Sequence, residues 1–78
     1  MTARTAYVLA NLHPTYKAHL DSLKKTAEQI NSGDTEFDLR AKKLARAEIR
    51  GYLTALNDAS LITNHQFRVL YTCYTLNL

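Results

Sequence analysis

The last sixteen residues constrain the fold most, because they place apolar side chains on two opposite faces of a predicted helix. The segment 63–78 reads TNHQFRVLYTCYTLNL, and its Thr63 and Gln66 fit a helix-capping box. One apolar stripe at the helical period contains Phe67, Leu70, Tyr71, Tyr74 and Leu78. The opposite side carries Val69, Cys73 and Leu76. Since both faces need cover, we expect this helix at the centre of the fold or in an interface.

A β-strand is the alternative for this segment. Residues 67–76 are rich in aromatic and β-branched side chains, and apolar residues alternate along part of it, as in a half-buried strand. Ile62 and Phe67, however, occupy the two positions of a hydrophobic staple around the cap. The capping box and the staple together favour the helix.

Size and composition indicate a single helical domain over residues 1–78. The 78 residues are 46% hydrophobic, a share typical of folded proteins and too high for disorder. The one Cys cannot form an intrachain disulfide, which favours a reducing compartment. Because so short a chain buries a small share of its surface, we expect a homodimer or an obligate protein partner to add burial.

The sequence also predicts a cytoplasmic location without membrane contact. The apolar run Ala6–Ala10 is shorter than the core of a secretory signal, and Pro14 soon follows it. No stretch approaches the roughly 20 apolar residues of a membrane span.

Cap residues and periodicity predict an all-α fold, a small bundle with a short N-terminal helix and three longer ones. The first helix runs from about Ala3 to Leu12, with Thr2 as its cap. Pro14 would break a continuous helix but suits the first turn of a second one. The second helix runs to about Asn31, before a stop signal at Gly33. Its apolar stripe contains Tyr16, Leu20, Leu23, Ala27 and Ile30.

The third helix is predicted to start at Asp34 or Thr35 and to run to about Asn57. Its predicted apolar stripe contains Phe37, Ala41, Leu44, Ala45, Tyr52, Ala55 and Leu56. Glu48 falls in the middle of this stripe, so it is either an interface contact or hydrogen-bonded inside the bundle. Gly51 indicates close approach of helix two, of helix four or of a second copy, or else a tolerated weak point.

Five basic residues mark the side of the third helix opposite that stripe, namely Arg40, Lys42, Lys43, Arg46 and Arg50. Such a face could contact nucleic-acid phosphates or an acidic protein surface, or simply be solvated. The net charge of only +3 favours solvation.

A DNA-reading helix-turn-helix is a poor match to residues 53–71. The predicted turn has Ala59 and Ser60 where that motif favours glycine, and Arg68 is the only basic residue among the candidate base-reading positions. The arrangement Arg50-Gly-Tyr-Leu … Ala-Leu-Asn-Asp-Ala-Ser-Leu-Ile-Thr … Gln-Phe resembles a helical hairpin common in small phage and plasmid proteins. The resemblance is generic and implies no function.

No pattern in the sequence indicates catalysis, a cofactor or a metal site. The candidate soft ligands have no zinc-binding spacing; they are His13, His19, His65 and Cys73. The carboxylates form no convincing acid–base pair, and two glycines cannot build a phosphate-binding loop of the usual kinds.

We therefore expect a non-enzymatic protein-binding module, such as an adaptor, inhibitor or regulator, with no small-molecule substrate. The predicted contact residues are Tyr71, Tyr74, Arg68 and Glu48. Tyrosine suits such a surface because it combines a large apolar area with a polar tip. The basic residues of the third helix would steer an acidic partner. The alternative is a nucleic-acid-binding regulator that uses the same basic residues.

Overall fold

The computed structural model describes residues 2–30, 36–76 and 78, and this part of the chain forms four helices. They are α1 (Ala3–Asn11), α2 (Pro14–Glu28), α3 (Glu36–Asp58) and α4 (Asn64–Thr75). The prediction of an all-α fold with a short first helix is confirmed. The strand alternative for residues 67–76 is wrong, because most of them lie in α4. The predicted stop at Gly33 and start at Asp34 or Thr35 fall outside the described residues.

Local cap interactions set the starts of α1 and α2. The Thr2 hydroxyl accepts a hydrogen bond from the Thr5 N–H at 3.2 Å, which satisfies a free donor of the first turn. Pro14 is the first residue of α2, and His13 Nδ1 accepts a hydrogen bond from the Thr15 N–H at 3.1 Å. The predicted cap at Thr2 and the predicted break before Pro14 are confirmed.

A tight turn and a complete capping box join α3 to α4. Ser60 adopts a left-handed conformation with φ of 60°, which reverses the chain after α3. The Thr63 hydroxyl then accepts a hydrogen bond from the Gln66 N–H at 3.1 Å. The Gln66 side chain returns the interaction by accepting a hydrogen bond from the Thr63 N–H at 2.7 Å. The predicted capping box is therefore confirmed.

Helix α4 lies at the centre of the bundle and packs against α1, α2 and α3. On its inner stripe Leu70 has no exposed surface, and Tyr74 is buried. On the other side Val69 and Cys73 are partly buried against the same core. The expectation that the last helix would be covered on two sides is confirmed for Val69 and Cys73, whereas Leu76 on the same side is 60% exposed.

The core draws on every helix and on the short connections between them. Its buried residues are Val8, Leu12, Leu20, Ile49, Leu53, Leu56, Ile62, Leu70 and Tyr74. On α2, Leu20 and Ala27 are completely buried, as the predicted stripe requires. Ile62 and Phe67, the two staple residues, both belong to the core cluster or pack against it.

The predicted apolar stripe of α3 is wrong in part: Leu56 is buried and Tyr52 packs against the core, but other members of the stripe face away from it. Phe37 and Leu44 are 78% and 65% exposed, whereas Ile49 and Leu53 have no exposed surface. The core face is turned by about 80° around the helix from the predicted stripe, towards the basic residues. Because α3 carries apolar residues over more than half of its circumference, periodicity could not select the face that α2 and α4 cover.

This rotation also changes the surroundings of Gly51. It is exposed, and beyond the adjacent backbone of α3 itself, a Cβ built on it meets no atom of the described residues within 4 Å. The predicted close approach of α2 or α4 to Gly51 is therefore wrong. Inside a helix, glycine costs roughly 1 kcal/mol relative to alanine, and nothing in the described fold of a single chain offsets that cost.

A hydrogen bond between two side chains ties α4 to α2. The Tyr74 hydroxyl donates to Asp21 Oδ1 at 2.7 Å, and Lys17 Nζ lies 2.8 Å from Asp21 Oδ2. Partial burial raises the pKa of Asp21, but the hydrogen bonds from Lys17 and Tyr74 outweigh burial and bring the pKa below its usual value. Burial and the bond to Asp21 raise the pKa of Tyr74 above the usual 10.0.

The register of α3 can be tested with two identical changes on one helix. We expect Leu53→Ala to lower the free energy of unfolding by about 2–5 kcal/mol, because it leaves a cavity in the core. Leu44→Ala should change it by less than about 0.5 kcal/mol. Urea unfolding, at a concentration low enough to exclude self-association, measures both. The reverse order would restore the stripe predicted from the sequence.

The Tyr74–Asp21 hydrogen bond predicts a pH-dependent stability difference. We expect Tyr74→Phe to lower the free energy of unfolding at pH 7 by about 1 kcal/mol, since Asp21 is half exposed. Asp21 has a lowered pKa, so its contribution exists above its unfolded value of 3.8 and is lost as the pH falls through the folded value. Tyr74 has a raised pKa, so its contribution exists below 10.0 and is lost as the pH rises through the folded value.

The free energies of unfolding of the wild type and of Tyr74→Phe should therefore differ most between about pH 4 and pH 10. Below and above this range the difference should become smaller. Urea unfolding from pH 3 to pH 11 checks this. A difference that is constant over the whole range would mean that lost packing, and not the hydrogen bond, explains the effect.

Candidate protein-binding surfaces

The predicted contact residues on α4 lie in three different environments. Tyr74 is only 4% exposed and bonded to Asp21, so its predicted surface position is wrong. Tyr71 is partly buried, and its ring is nearly parallel to that of Phe67, with the ring centroids 6.2 Å apart. Arg68 is exposed. The inner stripe turns Tyr74 into the core, while Tyr71 stays at the edge of that stripe.

Glu48 lies on the outer side of α3, where it is exposed. A hydrogen bond inside the bundle, one of its two predicted roles, is therefore excluded by its position. Phe37 and Leu44 precede it along α3 and lie on the same side of the helix, as the helical period places them. The predicted interface role of Glu48 remains a prediction.

The five basic residues of α3 do not form one free face. Arg40 Nη2 lies 3.0 Å from Glu36 Oε1, in a pair so exposed that it contributes little to stability. Lys43 and Arg50 are exposed. These three residues are the part of the predicted basic patch that a partner could reach directly.

Lys42 and Arg46 are partly buried, because the core face of α3 is turned towards them. Arg46 Nη1 donates a hydrogen bond to the main-chain carbonyl oxygen of Leu78 at 2.8 Å. The prediction that the whole basic face lies opposite the core is therefore wrong. Arg46 instead holds Leu78 against α3.

A groove of about 700 Å³ opens between the start of α1 and the outer face of α4. Its apolar surface comes from Val69, Cys73 and Leu76, the second apolar face of the last helix. Helix α1 covers part of this face, and the groove is the part left open. The sequence pattern predicts this face but not the groove, because α1 and α2 contribute the other walls.

The groove carries positive charge. Arg4 from α1, Lys24 from α2 and Arg68 from α4 supply that charge, and the described residues that line the groove include no carboxylate. Lys24 Nζ donates a hydrogen bond to the Cys73 carbonyl oxygen at 3.3 Å, which holds that ammonium group beside the apolar surface. Low-dielectric walls with charges of one sign attract ligands of the opposite sign.

Two of the histidines considered as metal ligands have structural roles instead. His13 caps α2, and the His19 ring packs on Tyr52 with ring centroids 4.2 Å apart. Among residues 2–30, 36–76 and 78, no three His, Cys, Asp or Glu side chains come together as a metal site would require.

The chain was compared with protein-family models, with curated proteins and with solved structures, and none of them matches it. No helix in the described part of the chain combines the length and apolar character needed to cross a membrane. Function is therefore inferred from the surfaces of the chain itself.

Arg46 and Lys43 provide a test of which basic residues are structural. We expect Arg46→Ala to lower the free energy of unfolding by about 1 kcal/mol, because the hydrogen bond to Leu78 and the packing of the Arg stem are lost. Lys43→Ala should change it by less than about 0.5 kcal/mol. Urea unfolding of both variants measures this, and equal effects would contradict a structural role for Arg46.

Proposed function

We propose that this chain is a non-enzymatic protein-binding module, an adaptor, inhibitor or regulator, that takes an acidic amphipathic segment of a partner protein. The proposed site is the groove between α1 and α4. The observation that carries the proposal is the combination of three positively charged side chains with an apolar surface in one open groove, without a lining carboxylate among the described residues.

The apolar surface of the groove supports a peptide as the ligand. Leu76 is 60% exposed at its edge, and Val69 and Cys73 are only partly covered. A partner segment with large apolar side chains would remove this surface from water, which is the main favourable term in most protein association. A bare phosphate chain would leave it exposed.

The basic side chains support an acidic partner. Arg4 and Arg68 come from different helices, so carboxylates on one segment could meet positive charge on both sides of the groove. Complementary charges of this kind raise the association rate and discriminate against basic segments. The charges that steer the partner would therefore lie on α1 and α4, and not on α3 as the sequence predicts.

Nucleic-acid binding is the second proposal, and the exposure of Arg40, Lys43 and Arg50 along α3 supports it. It is the weaker of the two, because Lys42 and Arg46 are partly buried and Arg46 is bonded to Leu78. Three exposed cations give only a small non-specific affinity for phosphates, since that affinity grows with the number of phosphate contacts.

The test is a selection of peptides from a randomised display library on the immobilised full chain. We expect the enriched peptides to combine Asp or Glu with large apolar residues. A synthetic peptide of the enriched sequence should bind Arg68→Glu at least about tenfold more weakly than the wild type, which corresponds to about 1.4 kcal/mol. Lys25→Glu makes the same charge change on an exposed residue outside the groove and should bind normally.

Enriched peptides without acidic residues, or equal binding by Arg68→Glu and the wild type, would rule out the groove as the site. A mixed-sequence oligonucleotide serves as the second probe at low salt. If it binds, and Lys43→Glu with Arg50→Glu abolishes binding while Arg68→Glu does not, the nucleic-acid proposal replaces the first one.

A further inference from the structure

The outer side of α3 carries a second apolar seam that the core does not use. Its members follow one another at intervals of four, three, four, three and four residues, and they are Phe37, Ala41, Leu44, Glu48, Gly51 and Ala55. All are exposed except Ala41, which is partly buried. An average spacing of 3.5 residues is the repeat by which two helices pack along their length. The seam spans roughly 27 Å of helix.

We infer that this seam binds the same seam of a second copy of the chain, with the two α3 helices antiparallel about a two-fold axis. The inference does not depend on the groove between α1 and α4, which lies on other helices. It rests on the sizes of the side chains along the seam, on their charges and on the exposed glycine.

Side-chain sizes along the seam are complementary under this symmetry. If the axis passes level with Arg46, Phe37 faces Ala55 of the second copy, and Leu44 faces Glu48 of the second copy. The remaining layer pairs Ala41 with Gly51. The two members of each pair lie equally far along the chain from Arg46, so one two-fold axis aligns all the layers. Phe37 thus packs against a small residue, and Leu44 packs against the aliphatic part of the Glu48 side chain.

Charge complementarity supports a second copy as the occupant. Glu48 is the only charged residue in the seam, and Arg40 lies at the edge of the seam one turn before Leu44. In the antiparallel pair, Arg40 of each copy comes beside Glu48 of the other, which gives two equivalent ion pairs. The present partner of Arg40 is Glu36, in a highly exposed pair that is easily exchanged. A single polar residue in such a seam also fixes its register.

In the proposed dimer, close packing of the two α3 helices requires a small residue at position 51, whereas the fold of a single chain does not. A side chain at this position would find open space in the described fold, so packing within one chain does not require glycine. Between two copies, the layer of Ala41 and Gly51 lets the two backbones approach closely. The large side chains Phe37 and Leu44 then reach the opposite helix on either side of that layer.

The oligomeric state tests this inference. We expect sedimentation equilibrium to show a mass that rises with concentration from one chain to two. Leu44→Asp should hold the mass at one chain while the helical circular dichroism is unchanged, because it sets an acid against Glu48 of the second copy. Leu39→Asp changes another exposed leucine of α3 outside the seam and should still form dimers. Arg68→Glu, in the groove, should also form dimers.

Charge exchange tests the pairing of Arg40 with Glu48. We expect Arg40→Glu and Glu48→Arg each to weaken the dimer at least tenfold, and the double variant to recover most of the loss. Failure of the double variant to recover, or a wild type that keeps the mass of one chain up to millimolar concentration, would overturn the inference. So would a dimer that survives Leu44→Asp.

Disulfide cross-linking tests the orientation. With Cys73→Ser as the background, Ala41→Cys combined with Gly51→Cys should give a covalent dimer under mild oxidation. Either cysteine alone should not, because position 41 faces position 51 of the second copy and not itself. Cross-linking by Ala41→Cys alone would indicate parallel helices and contradict the proposed arrangement.

Discussion

The burial of α4 between the other three helices is the constraint on which the rest of the structure depends. Leu70 has no exposed surface, and Tyr74 is buried with its hydroxyl bonded to Asp21 of α2. In a chain of 78 residues without a disulfide, one central helix is an efficient way to let every other helix share the same apolar contact. The capping box at Thr63 and Gln66 sets where this helix starts and therefore which faces it presents.

Both candidate surfaces follow from this arrangement. Helix α1 is too short to cover the second apolar face of α4, so a cationic groove remains beside Val69 and Leu76. Helix α3 is long, and the bundle covers only one of its apolar faces, so Phe37 and Leu44 stay exposed on another. The proposed peptide site and the proposed dimer seam lie on different helices, which would allow the chain to use them independently.

The basic residues of α3 illustrate how a fold redistributes charge. The sequence predicts Arg46 in a surface patch, yet Arg46 donates a hydrogen bond to the carbonyl oxygen of Leu78 and so links that residue to α3. Arg4, Lys24 and Arg68 are far apart in the sequence, and only the packing of three helices brings them to one groove. A cluster that depends on three separate elements leaves no local pattern by which the sequence could reveal it.

Local signals in the sequence predicted where α1, α2 and α4 begin. Thr2, Pro14 and the Thr63–Gln66 box predicted the helix starts, because caps act on neighbouring backbone groups and need no tertiary contact. The two apolar faces of the last helix predicted a place at the centre of the fold or in an interface. Only the tertiary structure decided which face of α3 is buried. That helix offers apolar residues on several sides, and the choice of Ile49 and Leu53 over Phe37 and Leu44 depends on how α2 and α4 pack against it.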